Sequence, residues 1–316
     1  MKLKLCVAQI ETLTNAIAEF TLVGVDGASL PPYTAGSHID IDLGDEIGQR
    51  SYSLIDWTAP PAAPAAYTIA VQREENGDGG SVRMHALAEG DLITVSLPTN
   101  NFALAESTAP SVLVAGGIGI TPIISLAALC RQSNTPFHIY YAGRTAAAMA
   151  YSSKIKADFN DHLSSHTDDC NPLPLDSLFK NLDAVTNIYL CGPAGLIEAA
   201  QSAASAAGVP TDHLHVELFD TPDARDTDAA FEVELSSTGE VHVIPPGQTI
   251  IEVLEAAGHD LMYDCQRGDC GICQTTVVSG TPDHRDVVLS ADEKTAGDVM
   301  QICVSRAKSE RLVLDL

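Results

Sequence analysis

Cys265-Gln-Arg-Gly-Asp-Cys270-Gly-Ile-Cys273 places three cysteines within nine residues, and Cys303 stands well downstream. The spacing is C-x4-C-x2-C…C. Cluster iron prefers thiolate sulfur, and four thiolates at this spacing suit a [2Fe–2S] core. Gly268 and Gly271 let backbone N–H groups come close to cluster sulfur, and such hydrogen bonds help to set a potential. Buried thiols and a zinc site are the competing readings. Zinc sites usually show two C-x2-C-like pairs or one pair with histidines, whereas here a single C-x2-C follows a C-x4-C. The pattern therefore predicts a [2Fe–2S] centre on Cys265, Cys270, Cys273 and Cys303.

Upstream of this loop, FEVELSSTGEVHVI reads as a hairpin with a Thr-Gly turn, and TIIEVLEAAG as a helix ending on Gly258. Residues 230–316 are thus expected to form a ferredoxin-like domain of the β-grasp type. Before them DTPDARDTDA is charged, contains proline and has no periodicity, so a linker is expected at 223–229. In residues 104–222 apolar strands alternate with helical stretches: SVLVAGG, ITPIISLAALCRQ, PFHIYYAGR, AMAYSSKIKADF, NIYLCGP and GLIEAAQSAASAAG. That alternation predicts an α/β doubly wound parallel sheet that binds a nucleotide. Residues 1–103 hold short alternating runs, among them LKLCVAQI, HIDIDL, YTIAVQR and DLITVSL, and predict an antiparallel β-barrel. The chain is read as a multidomain protein.

Composition narrows the function. The 316 residues carry 17 basic against 42 acidic side chains, a net charge of −25. Nucleic acid, which demands basic stripes, is excluded as a partner. Solubility accounts for most of this charge, with steering of a basic redox partner as the sharper alternative. The N-terminal MKLKLCVAQIET alternates as a strand does and lacks the apolar core of a signal peptide, so a cytoplasmic protein is expected. The uncharged run from Ala109 to Cys130 approaches membrane-spanning length. Gly116, Gly117, Gly119 and Pro122 break it into strand, turn and helix, so no membrane association is expected. Cys6, Cys130, Cys170 and Cys191 read as thiols rather than disulfides.

Two upstream motifs bear on cofactors. Arg50-Ser51-Tyr52-Ser53-Leu54 lies among the strands, followed by Val71-Gln72-Arg73 and by Gly77-Asp78-Gly79-Gly80-Ser81-Val82-Arg83. A glycine turn that opens a helix presents N–H groups to an anion. Three arginines near it are notable in so acidic a chain, although a polar hairpin tip would look similar. Gly116-Gly117-Ile118-Gly119-Ile120-Thr121-Pro122 joins a strand to a helix as a dinucleotide fingerprint does, but with Thr-Pro in place of the third glycine. Cys191-Gly192-Pro193 ends a later strand of the same sheet, at the carboxyl side where ligands bind.

Taken in order, these pieces resemble the flavin-dependent NAD(P)H reductases of the ferredoxin–NADP⁺ reductase fold. Within that group the chain is similar to the family of phthalate dioxygenase reductase and the vanillate O-demethylase reductase subunit, and the likeness spans essentially all of it. RSYSL, GGIGITP, CGP, the cysteine loop, HRDVVLSADEK and CVSRA carry the resemblance. It implies FMN held by Arg50, Ser51, Tyr52 and Ser53, lined by Val71 and Arg73, and capped at its phosphate by Gly79, Gly80 and Ser81. It further implies that Thr121 touches the flavin ring and that Glu217 and Phe219 end the nucleotide domain on its flavin side. NADH is expected at Gly117, Gly119 and Pro122 for the pyrophosphate, at Ala142, Gly143 and Arg144 for the adenosine ribose, and at Cys191, Gly192 and Pro193 for the nicotinamide. Arg144 would equally serve a 2′-phosphate.

A hydride delivers two electrons together, and a cluster accepts one at a time. A flavin does both, so it belongs between them. The expected path runs from NADH to FMN, to [2Fe–2S], and to a Rieske-type oxygenase served by a monomeric reductase. No catalytic acid or base beyond the cofactors is expected; Thr121 and Cys191 lie near the flavin and nicotinamide. The alternatives are a non-enzymatic electron carrier and a reductase for another acceptor, such as a haem protein.

Overall fold

A computed structural model describes residues 2–58, 60–219 and 228–316. The chain forms two compact units, Met1–Glu217 and Leu218–Leu316.

The first unit opens with β1 (Lys2–Thr12), β2 (Ile17–Gly24), β3 (His38–Asp42), β4 (Gln49–Ser53), β5 (Ala66–Gln72), the short helix α1 (Gly80–His85) and β6 (Leu92–Ser96). The strands pair antiparallel in the order β4-β3-β6-β1-β2-β5. Alternation drives the curl. In β2, Phe20 and Leu22 turn inward, where they meet Ile39, Ile41, Tyr67 and Ile69 and are plugged by Met84 of α1. Just beyond β4 the Ile55 N–H bonds to the Thr68 carbonyl of β5 at 2.8 Å, so the sheet's two edge strands meet and the barrel closes.

The same unit continues as β7 (Ser111–Gly116), α2 (Ile120–Ser133), β8 (Phe137–Gly143), α3 (Ser152–Phe159), β9 (Leu163–Thr167), α4 (Leu175–Lys180), β10 (Asn187–Cys191), α5 (Ala194–Ala207) and β11 (Leu214–Glu217). All neighbours are parallel, in the order β11-β10-β7-β8-β9. The chain starts in the middle at β7, winds outward to β9, then returns to β10 on the other side. The doubly wound switch point therefore lies between β7 and β10, where ligands bind in such sheets. Helix α2 also faces the barrel. Ser125 Oγ donates to the Leu54 carbonyl at 2.9 Å and accepts from the Asp56 N–H at 2.9 Å. Tyr151 Oη donates to Glu19 Oε2 at 2.5 Å, and Arg131 Nη2 to the Trp57 carbonyl at 2.9 Å. These bonds join barrel and sheet into one unit. Among the described residues no helix is long and apolar enough to cross a membrane.

The second unit contains β12 (Phe231–Leu235), β13 (Val241–Ile244), α6 (Ile250–Ala256), β14 (Gln274–Ser279), β15 (Pro282–Asp283), α7 (Ala291–Ala296), β16 (Val299–Gln301), β17 (Arg306–Ala307) and β18 (Arg311–Leu314). Its main sheet runs β13-β12-β18-β14-β16, with β12 and β18 parallel at the centre and the other pairs antiparallel. Ile250, Ile251 and Leu254 of α6 pack on Val233, Ile244, Leu312 and Leu314, which is the β-grasp arrangement. Thr249 and Glu252 form a reciprocal capping box that starts α6. Residues 223–227 of the expected linker lie outside the described residues. Its last two residues are tied to the second unit: Arg285 Nη1 donates to Asp228 at 2.9 Å, and Arg306 Nη2 to the Ala229 carbonyl at 3.2 Å.

Candidate functional site

Cys273 and Cys303 are buried, and Cys265 and Cys270 are half-buried at the rim of the same site. Cys265 is in hydrogen-bonding contact with Cys270 and Cys303, and Cys303 with Cys273. Hydrogen bonds from Cys270 and then Cys303 pull the Cys265 thiol far below its ordinary range, while the bond to Cys265 holds Cys270 above it. The loop owes its path to backbone geometry that side chains resist. Gly268 has φ +83°, and a Cβ there would lie 2.7 Å from Val304 Cγ2 and 3.1 Å from Asp286 Cα. Gly271 also has positive φ. The Arg267 N–H points at Cys265 Sγ, 3.3 Å away. The fully buried Gln301 faces Cys273 Sγ at 3.4 Å through Oε1. Asp269 is held by the Leu218 N–H at 2.8 Å, and burial pushes its carboxyl up to about 7. Four converging sulfur donors, with a backbone N–H and a glycine cradle around them, fit a [2Fe–2S] group.

In the first unit, Arg50 of β4 lies across Gly80 of α1. A Cβ on Gly80 would come within 2.8 Å of Arg50 Cγ and 3.0 Å of Arg50 Nε. The guanidinium is anchored by the Ile47 and Gln49 carbonyls, both at 2.8 Å, and sits 3.5 Å from Asp78. Gly79, with φ +81°, turns the chain into α1. Two residues separated by more than a strand are therefore brought together around a glycine turn in which Gly79 is half-buried and Gly80 buried, which fits a phosphate. Ser81 Oγ accepts from the Glu74 N–H at 3.0 Å. Arg73 commits its guanidinium to Glu75 at 2.6 Å. Ser51 Oγ donates to Asp40 at 2.6 Å, Val71 is buried, and burial raises the Tyr52 hydroxyl to about 12.

At the switch point the two glycine motifs interlock. A Cβ on Gly119 would sit 2.3 Å from the Cys191 carbonyl oxygen and 2.7 Å from the Gly192 nitrogen. A Cβ on Gly192 would be 3.0 Å from Gly116 Cα. Gly117, with φ +55°, has open space around its Cα. Such bare backbone beside the start of α2 fits a dinucleotide pyrophosphate. Thr121 and Pro122 are buried in the first turn of α2, the Thr121 hydroxyl donating to the Ile118 carbonyl at 3.1 Å. Ala142 and Gly143 end β8 with Arg144 exposed beyond them, and Gly143 is packed against Met149.

One carboxylate joins the barrel to the sheet. Glu217, 4 % exposed at the end of β11, accepts from Ser53 Oγ of β4 at 3.5 Å and lies 3.9 Å from Cys191 Sγ of β10. Ser53 belongs to the expected flavin set and Cys191 to the expected nicotinamide set, so the structure brings those two sets together at one point. Phe219 belongs to the second unit and is half-buried there. The Ser125 link between α2 and the exit of β4 had no signal in the sequence, because a mid-helix serine announces no partner.

Comparison with known proteins agrees with this arrangement. The 2Fe-2S iron-sulfur cluster binding domain family matches residues 233–308. The N-terminal domain family of dimethylamine monooxygenase subunit DmmA-like proteins matches residues 93–214. The chain is 38% identical over 320 residues to the carnitine monooxygenase reductase subunit of Escherichia coli (strain K12), covering 98% of this chain and 97% of that one. It is 37% identical over 320 residues to vanillate O-demethylase oxidoreductase of Pseudomonas sp. (strain HR199 / DSM 7063), covering 99% and 100%. The solved structure of phthalate dioxygenase reductase, described as modular for electron transfer from pyridine nucleotides to [2Fe–2S], superposes with a TM-score of 0.71 at 35% identity, covering 100% of this chain and 98% of that one. The chain belongs to the family of phthalate dioxygenase reductase and vanillate O-demethylase oxidoreductase, the flavin- and [2Fe–2S]-containing reductase components of oxygenase systems.

Proposed function

We propose that this chain is the NADH-dependent reductase of a Rieske-type oxygenase and delivers single electrons to that partner. When bound, NADH supplies a hydride, FMN divides it into single electrons, and the [2Fe–2S] group carries them outward. The observation that supports this most is the Ser53–Glu217–Cys191 junction, which holds a barrel strand against the switch point of the nucleotide sheet.

The chain's own residues position and neutralise. Arg50, with the Gly79-Gly80-Ser81 turn, balances the FMN phosphate. Tyr52, Ser53, Val71 and Thr121 line the flavin ring, with Ser51 and Arg73 on the strands that frame it. Gly117, Gly119 and Pro122 leave room for the pyrophosphate of NADH, Gly143 and Arg144 for its ribose, and Cys191-Gly192-Pro193 for the nicotinamide. Cys265, Cys270, Cys273 and Cys303 ligate the cluster. Residues 1–103, 104–222 and 230–316 would then be the flavin, nucleotide and cluster parts. A cytoplasmic monomer suits the reading: no described cysteine is in a disulfide, and a reductase that visits a partner must diffuse.

The test is anaerobic. Adding NADH to the purified, cofactor-loaded chain should bleach both the flavin and the cluster absorption. If either stays oxidised, the electron path is wrong. Steady-state reduction of candidate Rieske oxygenases then tests the partner, and faster reduction of a haem protein would replace it.

A further inference from the structure

On the second unit, outside the cysteine quartet, Glu240, His242 and His259 bring three donor atoms close together. His242 Nε2 and His259 Nε2 are 3.3 Å apart, and Glu240 Oε2 lies 3.4 Å from the His259 nitrogen and 3.8 Å from that of His242. A tetrahedral zinc ion with bonds of about 2.0–2.2 Å holds its donors about 3.3–3.5 Å apart. Two of the three separations, 3.3 and 3.4 Å, match the edge of such a tetrahedron, and the third, between Glu240 and His242, is longer at 3.8 Å.

The backbone fixes this placement. Glu240, His242 and Ile244 alternate onto one face at edge strand β13. Ile244 enters the core, His242 sits at its rim, and Glu240 is mostly exposed. The Leu235 N–H bonds to the Glu240 carbonyl at 2.9 Å and sets where the strand begins. His259 comes from the other side, just past α6. Gly258, with φ +96°, closes the helix: its N–H bonds to the Glu255 carbonyl at 2.8 Å, and the His259 N–H to the Leu254 carbonyl at 3.0 Å. That is a Schellman motif, and it locks the backbone of His259. The two rings stand nearly perpendicular, 89° apart, with facing nitrogens. Only one proton fits between the two facing ring nitrogens, and the nearby carboxylate adds a third acceptor. A cation resolves that excess of lone pairs.

We propose that Glu240, His242 and His259 bind a borderline divalent transition ion of the zinc class, with solvent completing its coordination. Imidazole with carboxylate suits zinc and excludes magnesium or calcium, which prefer all-oxygen sets. The ion staples the free edge of the sheet to the end of α6.

The test uses the full chain, loaded with flavin and cluster as checked by absorbance and iron content. Zinc is titrated by calorimetry and by competition with a chromogenic chelator. One zinc per chain is expected, and its binding should raise the unfolding temperature of the second unit. His242→Ala/His259→Ala should weaken binding by about tenfold or more and remove the zinc-dependent temperature rise. His259→Gln, which leaves β13 untouched, should do the same if the double variant folds poorly. Zinc bound with equal affinity by wild type and variants, or taken up only at the level of scattered surface carboxylates, overturns the site.

Discussion

The cysteine loop places three of the quartet's four sulfurs between Cys265 and Cys273, whereas the switch point is assembled where Gly116–Gly119 at the end of β7 meets Cys191–Gly192 at the end of β10. The first site is made of side chains and announces itself through their spacing. The second is made of missing side chains, and its value lies in how near two backbones approach. A sulfur ligand fails when one atom is exchanged, and a glycine contact fails when one carbon is added.

Cys303→Ser exchanges one atom and should have the largest effect. Electron delivery to the oxygenase should fall to background, while NADH oxidation with ferricyanide survives in a folded, flavin-bound protein. A parallel loss of both activities would mean that the two sites are not separable. Arg50→Ala comes next, since it removes the charge that lies across the glycine turn. Loss of a hydrogen bond to a charged group costs about 1.5–3 kcal/mol, so FMN affinity should drop by roughly 10–150-fold, read by flavin release on dilution. NADH-dependent cytochrome c reduction should fall with it.

Gly119→Ala sharpens the backbone half of the comparison. Its Cβ would meet a carbonyl oxygen at 2.3 Å, and overpacking of this kind costs about 1–3 kcal/mol. Gly117→Ala meets open space and bears only the left-handed backbone penalty, about 1 kcal/mol. Thermal unfolding should rank Gly119→Ala well below Gly117→Ala; equal losses would show that the interlock carries no weight.

The smallest effect concerns pH. Burial lowers His138 in β8 and His215 in β11 below their ordinary value of 6.5. Their depressed folded values mean that the unfolded chain binds protons first. The stability they confer is present above pH 6.5 and is lost as pH falls through their folded values. Unfolding temperatures of the first unit should decline in that window, and His138→Gln/His215→Gln should flatten the decline.

Much of this was legible in the sequence, and the gaps have physical causes. Strands such as Ser111–Gly116 and Asn187–Cys191 are buried throughout and mostly apolar, and read clearly. β9, LSSHT, did not: it is an edge strand with one neighbour, half exposed, and needs no apolar run. α4, only six residues long, left no periodicity to detect. The cysteine quartet and the glycine motifs were visible because their chemistry constrains neighbours in sequence. The Ser53–Glu217 bond spans more than half the first unit, and the His242–His259 pair has no motif spacing. Such contacts exist only once the topology is formed.

The central place of β18 has a consequence for biosynthesis. Arg311–Leu314 lies between β12 and β14, so the β-grasp sheet is incomplete until that strand has left the ribosome. The barrel and nucleotide sheet, built from earlier residues, are free to fold first, as N-terminal units do during synthesis. Cys303 and β18 both follow the barrel and nucleotide sheet in the chain, so the cysteine quartet is completed only after those parts have been synthesised. Deleting the β18 residues Arg311–Leu314 should therefore abolish iron uptake while leaving the nucleotide half intact.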